Sequence, residues 1–320
     1  MSDLQNPVAE RTPVRTVTVT ADDSGQRLDN YVMAQLRGLP RSRVYRLVRK
    51  GEVRVNGRRA AAKQRLEAGD QVRLPPVTLE RTPFPQAGRR TTAELAERIV
   101  FEDKSIVVVD KPSGLAVHGG SGVQLGLIET LRQLRPDLSE ASLVHRLDRA
   151  TSGIVVIAKR RSALRRLHAA FRAGEVSKRY LAGCIGHWPH GSITIDKPLE
   201  VRHRQGGERH VVVSATGKPS TTRFSPEAFY DGLTLLSAEP VSGRTHQIRV
   251  HTAAAEHPLA GDTRYGDATA NQTLGRRGLK RLFLHAQSIA FADASGNEQL
   301  FNCPLATELD TLLGRLRRQQ

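Results

Sequence analysis

"VHRLDRATSG", residues 144 to 153, sets one carboxylate, Asp148, between Arg146 and Arg149, then continues through a small polar turn into the apolar run "IVVIAK". A lone acid in that setting reads in two ways. It is either a surface aspartate in a strand-to-strand turn, paired with a neighbouring arginine, or a nucleophile or base displayed at a turn. The second role needs an ionised carboxylate, and a nearby guanidinium favours the charged form even when a site is partly buried. Which reading holds depends on the rest of the chain.

The 320 residues allow one large domain or two ordinary ones, and the 38% hydrophobic content is enough for a real core at that length. No apolar run approaches the roughly 18 to 20 residues that span a bilayer. The opening "MSDLQNPVAERTPVRTVTV" has no apolar signal core, so a cytoplasmic protein with no membrane partner is expected. The two cysteines, Cys184 and Cys303, are far apart, which argues against a disulfide framework and a CxxC zinc site and suits a reducing compartment. Formal net charge is +17, which points to a polyanion partner. Between Gln26 and Pro75 there are 13 Lys or Arg against 4 Asp or Glu, so just over half of the excess sits in 50 residues. A charge concentrated in this way is better explained by nucleic acid than by a solvated face.

That basic stretch has an order of its own. A strand, "VRTVTVT", precedes "SGQRLDNYVMAQL", where Leu28, Tyr31, Val32 and Leu36 follow helical spacing and Asp23 or Ser24 is placed to cap the start. In "LPRSRVYRLVRKGEVRVNGRR", Val44, Leu47 and Val48 form the apolar stripe of a short helix, while Arg43, Arg46, Arg49 and Lys50 are expected to project away from it. "EVRVNGRR" alternates as a strand and turns at Asn56-Gly57, and "LEAGDQVRLP" closes the unit. This stretch resembles the S4 RNA-binding domain, and arginines along one helix face can meet phosphates. Aromatic residues make up only 4% of the chain, so base stacking is not expected to dominate binding. The expected division is a leader over 1–24, the S4-like domain over 25–75, a linker over 76–97 rich in Pro, Arg and Thr, and a second domain over 98–320.

The second domain opens with two short apolar strands around a "KPSG" turn. "GIVVIAK", "RYLAGCIG" and "LTLLSAEPV" read as further strands, and "RSALRRLHAAFRAG" and "THQIRVHTAAAEH" as helices. The mixture predicts an α+β fold with a mixed, largely antiparallel central sheet. Several enzyme classes drop out. "HGGSGVQLG" (118 to 126) is neither GxGxxG nor a Walker loop and reads as a plain loop. His246, His251 and His257 show no metal-ligand spacing, and no GxSxG elbow occurs. Three stretches remain: "VHRLDRATSGIVVIAK" with Asp148, "SKRYLAGCIG" with Tyr180, and "VSGRTHQIRVH" with Arg244 and Arg249. Singly they read as a turn salt bridge, an edge-strand tyrosine and a basic helix start. Together they make a set of carboxylate, guanidinium and phenol.

With "FEDKSIVVVDKPSG" before "HRLDRATSG", and "KRYLA", "SGRTHQIRVH", "HPLAGDTRYG" and "LFLHA" after it, the chain from about 98 to 306 resembles the RluA-type pseudouridine synthases. That family detaches uracil from C1′ of its ribose, rotates it and rejoins it through C5. The resemblance implies Asp148 as the catalytic aspartate, either attacking C1′ or removing the C2′ proton. It implies Arg249 as the partner of that carboxylate and Tyr180 as the residue that stacks on the target uracil and helps to remove the C5 proton. Arg146 is implied to fill the gap left when the nucleotide flips out of its stack. His145 and Thr151 to Gly153 read as shaping the turn, and Asp262 as structural. The implied partner is RNA, a large-subunit (23S) rRNA or a pre-ribosomal large-subunit particle, with no cofactor, no metal and a monomeric protein. The rival readings are a non-catalytic RNA-binding or ribosome-assembly factor, which has no need of the carboxylate, and an RNA methyltransferase, which would need the missing glycine-rich loop.

Overall fold

The run Ser152–Ala158 that follows the quoted turn is buried at every position and forms an interior strand of a large sheet. A computed structural model describes residues 8–36, 38–81, 94–119, 125–203 and 209–319. The chain divides into two units, Met1–Gln86 and Ala87–Gln320.

In the first unit the helices Leu28–Gln35 and Arg41–Lys50 pack over a four-stranded sheet ordered Arg15–Thr18, Gln71–Leu74, Arg54–Val55, Arg58–Arg59. Leu28, Tyr31, Val32, Leu36, Val44, Leu47 and Val48 are buried as the helical spacing requires, so the apolar stripe is what folds this unit. Arg46, Arg49 and Lys50 are exposed and Arg43 is half-buried. The hairpin turns at Asn56 (φ 50°) and Gly57 (φ 77°), the paired positive φ values that an Asn-Gly turn accommodates. The expected side-chain cap is not made. Arg27 occupies the N-cap without a capping side-chain bond, its guanidinium donating instead to Asp29, and Asp23 accepts from Thr20 Oγ1 at 3.0 Å within the preceding turn. Part of the expected linker is ordered as well. Val77–Arg81 pairs antiparallel with Val8–Thr12 in a separate two-stranded ladder. Residues 82–93 of that segment lie outside the described residues.

The second unit is built on one mixed sheet of 11 strands. Its main path runs Ile193–Asp196, Thr221–Tyr230, Leu233–Pro240, Ser177–Ile185, Leu284–Ala292, Ser152–Ala158, Ile106–Lys111, Ile99–Glu102. Pairing is antiparallel except where Ser152 and Gly153 run parallel to His285 and Ala286. Both faces are covered, which is why the interior strands read as unbroken apolar runs. Val107, Val109, Val155 and Ile157 meet the helix Leu127–Leu134 on one face. Val108, Ile154 and Val156 meet Ala163 and Leu167 of the helix Arg161–Ala173 on the other. The loop 118 to 126 lies largely outside the described residues. No helix among the described residues is long and apolar enough to cross a membrane.

One row across this sheet matters for function. Gly153 pairs with Ala286, Ala286 with Tyr180, and Tyr180 with Ala238. Two strand spacings, roughly 9–10 Å, therefore separate the strand that follows Asp148 from the strand that carries Tyr180. Gly153 has φ 108°, and a Cβ built there would lie 2.2 Å from the Ala286 carbonyl oxygen. Gly153→Ala is accordingly expected to destabilise the second unit by about 2–4 kcal/mol, through backbone strain and steric overlap. A fall in urea midpoint without a change in slope is the expected signature.

Candidate active site

Asp148 sits at the first position of a tight turn, its carbonyl accepting from Thr151 N at 3.1 Å. The "KPSG" turn grips this turn from outside. Gly114 N donates to the Arg149 carbonyl at 2.8 Å, Arg149 Nε donates to the Gly114 carbonyl at 2.8 Å, and Ser113 Oγ donates to Ala150 O at 2.7 Å. Lys111 is fully buried, and its Nζ donates to the carbonyls of Pro112, Leu115 and Arg149. Burial pulls its pKa down to about 7. On the other side His145 Nε2 accepts from Val156 N at 3.0 Å, tying the turn to its own strand. Arg149, flanking the acid, is therefore a brace for the loop.

Asp148 lines a cavity of about 380 Å³ together with Arg146, Tyr180, Arg249, Arg244 and Lys178. Arg146 is exposed at its edge. Arg249 comes from the helix Gln247–Ala254, and its Nη1 lies 3.7 Å from Asp148 Oδ2. Its tight partner is Asp262, which takes Nε at 2.7 Å and Nη2 at 2.8 Å. Both residues are buried. Burial opposes the Arg249 charge, but the hydrogen bonds and charge of Asp262, with Asp148 behind them, raise its pKa above the ordinary value. Burial likewise opposes the Asp262 carboxylate, and Arg249 and the backbone N–H groups of Arg264 and Tyr265 hold its pKa below the usual range. Tyr180 stands between Ala286 and Ala238 in its row, so no bulky neighbour in that row crowds its ring. Burial pushes its phenol well above the ordinary value, and the charge of Asp148 adds to this, so the hydroxyl stays protonated at neutral pH.

The register beside Tyr180 is broken on purpose. Arg179 pairs with Ser288 and Tyr180 with Ala286, leaving Gln287 as a bulge. Arg179 holds that bulge, donating to Ser237 Oγ at 2.9 Å and also binding Gln287 Oε1 and Glu227.

Asp148, Tyr180, Arg249 and Arg146 thus come together on one cavity. Arg43, Arg46, Arg49 and Lys50 belong to the first unit. The three histidines at 246, 251 and 257 do not share a site. His246 faces Asp148, His251 bonds Thr222 Oγ1 and the Lys197 carbonyl, and His257 bonds the Ile185 carbonyl. Asp110, His285 and Cys303 place ligand atoms within 4.8 Å of one another. His285 there contacts Ser152 Oγ at 2.8 Å and Cys303 Sγ at 3.3 Å, and Asp110 is paired with Arg98, so each of these groups already has a partner. Sequence reasoning overlooked His246 and Tyr265 at the site, although both lie inside quoted motifs. Their signal was tertiary, since the two are 19 positions apart and His246 is far from Asp148 in the chain.

The model for the RNA pseudouridylate synthase family matches residues 105–254, and that for the S4 domain matches residues 26–72. The chain belongs to the RNA pseudouridylate synthase family, whose members are isomerases. It is 49% identical over 310 residues to a protein of Pasteurella multocida (strain Pm70) named "Ribosomal large subunit pseudouridine synthase C", covering 96% of this chain and 95% of that one. A protein of the same name from Escherichia coli (strain K12) is 47% identical over 315 residues, 96% of this chain and 98% of that one. Among solved structures, human RNA Pseudouridylate Synthase Domain Containing 1 superposes with a TM-score of 0.60 at 25% identity, covering 74% of this chain and 92% of its own.

Replacing Arg249 with Met leaves Asp262 buried without its cation, at a cost of about 3–5 kcal/mol near neutral pH. The Asp262 pKa is lowered in the folded protein, so its contribution is present above the unfolded carboxylate pKa and is lost as pH falls through the folded one. The stability gap between wild type and Arg249→Met should therefore narrow when urea unfolding at pH 7 is repeated in the acid range. A pH-independent gap would contradict this electrostatic account.

Proposed function

We propose that the chain converts uridines of large-subunit (23S) rRNA to pseudouridine, with Asp148 as the reacting carboxylate. The observation that carries this reading is the cavity itself, where a carboxylate faces a buried guanidinium at 3.7 Å beside a protonated phenol. The names of the two bacterial relatives support the choice of RNA.

The chemistry balances without an external reactant. Asp148 either attacks C1′, displacing uracil and forming an ester, or takes the C2′ proton as uracil leaves, which gives a glycal. The freed uracil turns and C5 bonds to C1′, displacing the Asp148 carboxylate on the first route or taking the proton back at C2′ on the second; the C5 proton is then lost and N1 ends protonated. Arg249 neutralises the carboxylate from below without hydrogen-bonding it tightly, which leaves the Asp148 oxygens available. Tyr180 suits stacking on the uracil as a neutral phenol, and the raised pKa disfavours a phenolate base. Reaching C1′ in folded RNA requires flipping the nucleotide out, costing a few kcal/mol, and the exposed Arg146 at the cavity edge suits the vacated stack. Arg43, Arg46, Arg49 and Lys50 in the S4 domain supply sequence-independent phosphate contacts. The reading includes a monomeric, cytoplasmic protein.

Tritium release from rRNA carrying 5-³H-uridine tests the reaction. Wild type should release tritium without added cofactor, and Asp148→Asn should lose more than about 10³-fold of the rate while still binding RNA. Binding without release by the wild type would favour the assembly-factor reading instead. For the S4 domain, the triple change Arg46→Gln, Arg49→Gln, Lys50→Gln should weaken binding and flatten its log–log salt slope by about two to three units. The rate at saturating RNA should stay close to wild type.

A further inference from the structure

His246 and Tyr265 have no part in the chemistry above, yet they form a continuous chain of polar contacts that ends at Asp148. His246 precedes the helix Gln247–Ala254 in the left-handed region, φ 55°, an uncommon conformation for a residue with a side chain. That conformation directs the imidazole between two partners. Its Nδ1 lies 2.8 Å from Tyr265 Oη, and its Nε2 lies 3.7 Å from Asp148 Oδ2. Tyr265 is itself fixed: its hydroxyl oxygen accepts from Val211 N at 2.9 Å, His210 stacks on its ring, and the Arg249 guanidinium lies 5.0 Å from the ring centroid.

We propose that Tyr265 and His246 are a positioning pair that holds His246 as the Nε2–H tautomer, so that its N–H steadies one oxygen of the Asp148 carboxylate while Arg249 steadies the charge. Two independent constraints select this tautomer. At one end, the Tyr265 hydroxyl accepts from the Val211 N–H and has one proton to give, and His246 Nδ1 is the acceptor placed against it at 2.8 Å. At the other, an unprotonated Nε2 would aim its lone pair at a carboxylate. Charge state agrees with this geometry. Burial pulls the His246 pKa down to about 4, the Asp148 charge opposing and the Arg249 and Arg264 guanidiniums reinforcing it, with Asp262 the remaining charged neighbour. A neutral donor therefore faces Asp148, which orients the carboxylate without competing for its charge as a second cation would. The 3.7 Å separation is long for a hydrogen bond, and catalytic contacts of this kind tighten in the substrate complex. The proposal rests on Asp148 being the reacting group.

Uniformly ¹⁵N-labelled full-length protein tests the tautomer directly, without substrate. Long-range ¹H–¹⁵N correlation should show His246 protonated at Nε2 alone at neutral pH, with the signal identified by its loss in His246→Gln. An Nδ1–H tautomer or an imidazolium overturns the proposal. Tritium release then tests the consequence. Tyr265→Phe should lower kcat by about 10- to 100-fold with KM changed less than twofold. His246→Gln places an amide donor where Nε2 stood, and His246→Asn reaches only the Tyr265 side. The glutamine variant should stay the more active, although asparagine is more at ease in the left-handed region. Equal losses in the two, or an effect on KM alone, would sink the idea. If wild type shows the Nε2–H tautomer but releases no tritium, the isomerase reading fails and the positioning role fails with it. If tritium release is normal and the tautomer is wrong, only the positioning role fails.

Discussion

The guanidinium of Arg249, held in the protein interior by two hydrogen bonds to Asp262, is the interaction on which the rest of the site depends. A buried ion pair is weak evidence of stability, because taking both charges out of water costs about as much as their attraction returns. Its value lies in placement. Asp262 also accepts from the backbone N–H groups of Arg264 and Tyr265, so one carboxylate sets the position of the cation and of the loop that carries Tyr265. The cation's remaining Nη1 is left facing Asp148 at 3.7 Å. A second acid behind the guanidinium thus leaves the first one charge-compensated but not bound, which is the condition a reacting carboxylate needs.

The sheet converts that local arrangement into a fixed geometry. Gly153, Ala286, Tyr180 and Ala238 lie in one row, so the position of the Tyr180 ring relative to the Asp148 turn follows from strand pairing. Small residues at three of the four places let the strands approach and keep the phenol's flanks open. The bulge at Gln287, clamped by Arg179 and anchored through Cys303 N to its carbonyl at 2.9 Å, lets one strand serve a parallel neighbour and an antiparallel one at once. On the far side the three carbonyls around Lys111 tie the "KPSG" turn to the peptide next to Asp148. The groups proposed to react are few; most of the named residues hold them in place.

Much of this was readable in the chain because the signals were local. Val44, Leu47 and Val48 mark a helix face, Asn56-Gly57 marks a turn, and "IVVIAK" reads as a strand, whose interior place the structure adds. Tyr180 and Arg249 were located through motifs whose meaning came from a family resemblance rather than from periodicity. What stayed hidden was pairing at a distance. Nothing in the segment 76–81 says that Val77–Arg81 meets Val8–Thr12, since a separate two-stranded ladder of five residues is defined only by its pairing. Likewise Asp262 read as structural, but its bond to Arg249 across 13 positions is tertiary. The cap misassigned to Asp23 or Ser24 failed for a local reason: Thr20 competes for Asp23 inside a tight turn.

The charge distribution resolves a difficulty that any such site faces. A polyanion has to come within bonding distance of an ionised carboxylate. The formal charge of +17 draws RNA in from a distance, but at physiological ionic strength charges are screened over about 8 Å, so distant lysines do little for that last approach. The compensation has to be local, and Arg146, Arg172, Lys178 and Arg244 line the cavity while Arg249 faces Asp148 from within the protein. Each guanidinium also offers a planar fork suited to phosphate. On the proposed reading, long-range basicity brings the substrate to the protein, and the short-range arginines offset the half-buried acid among them.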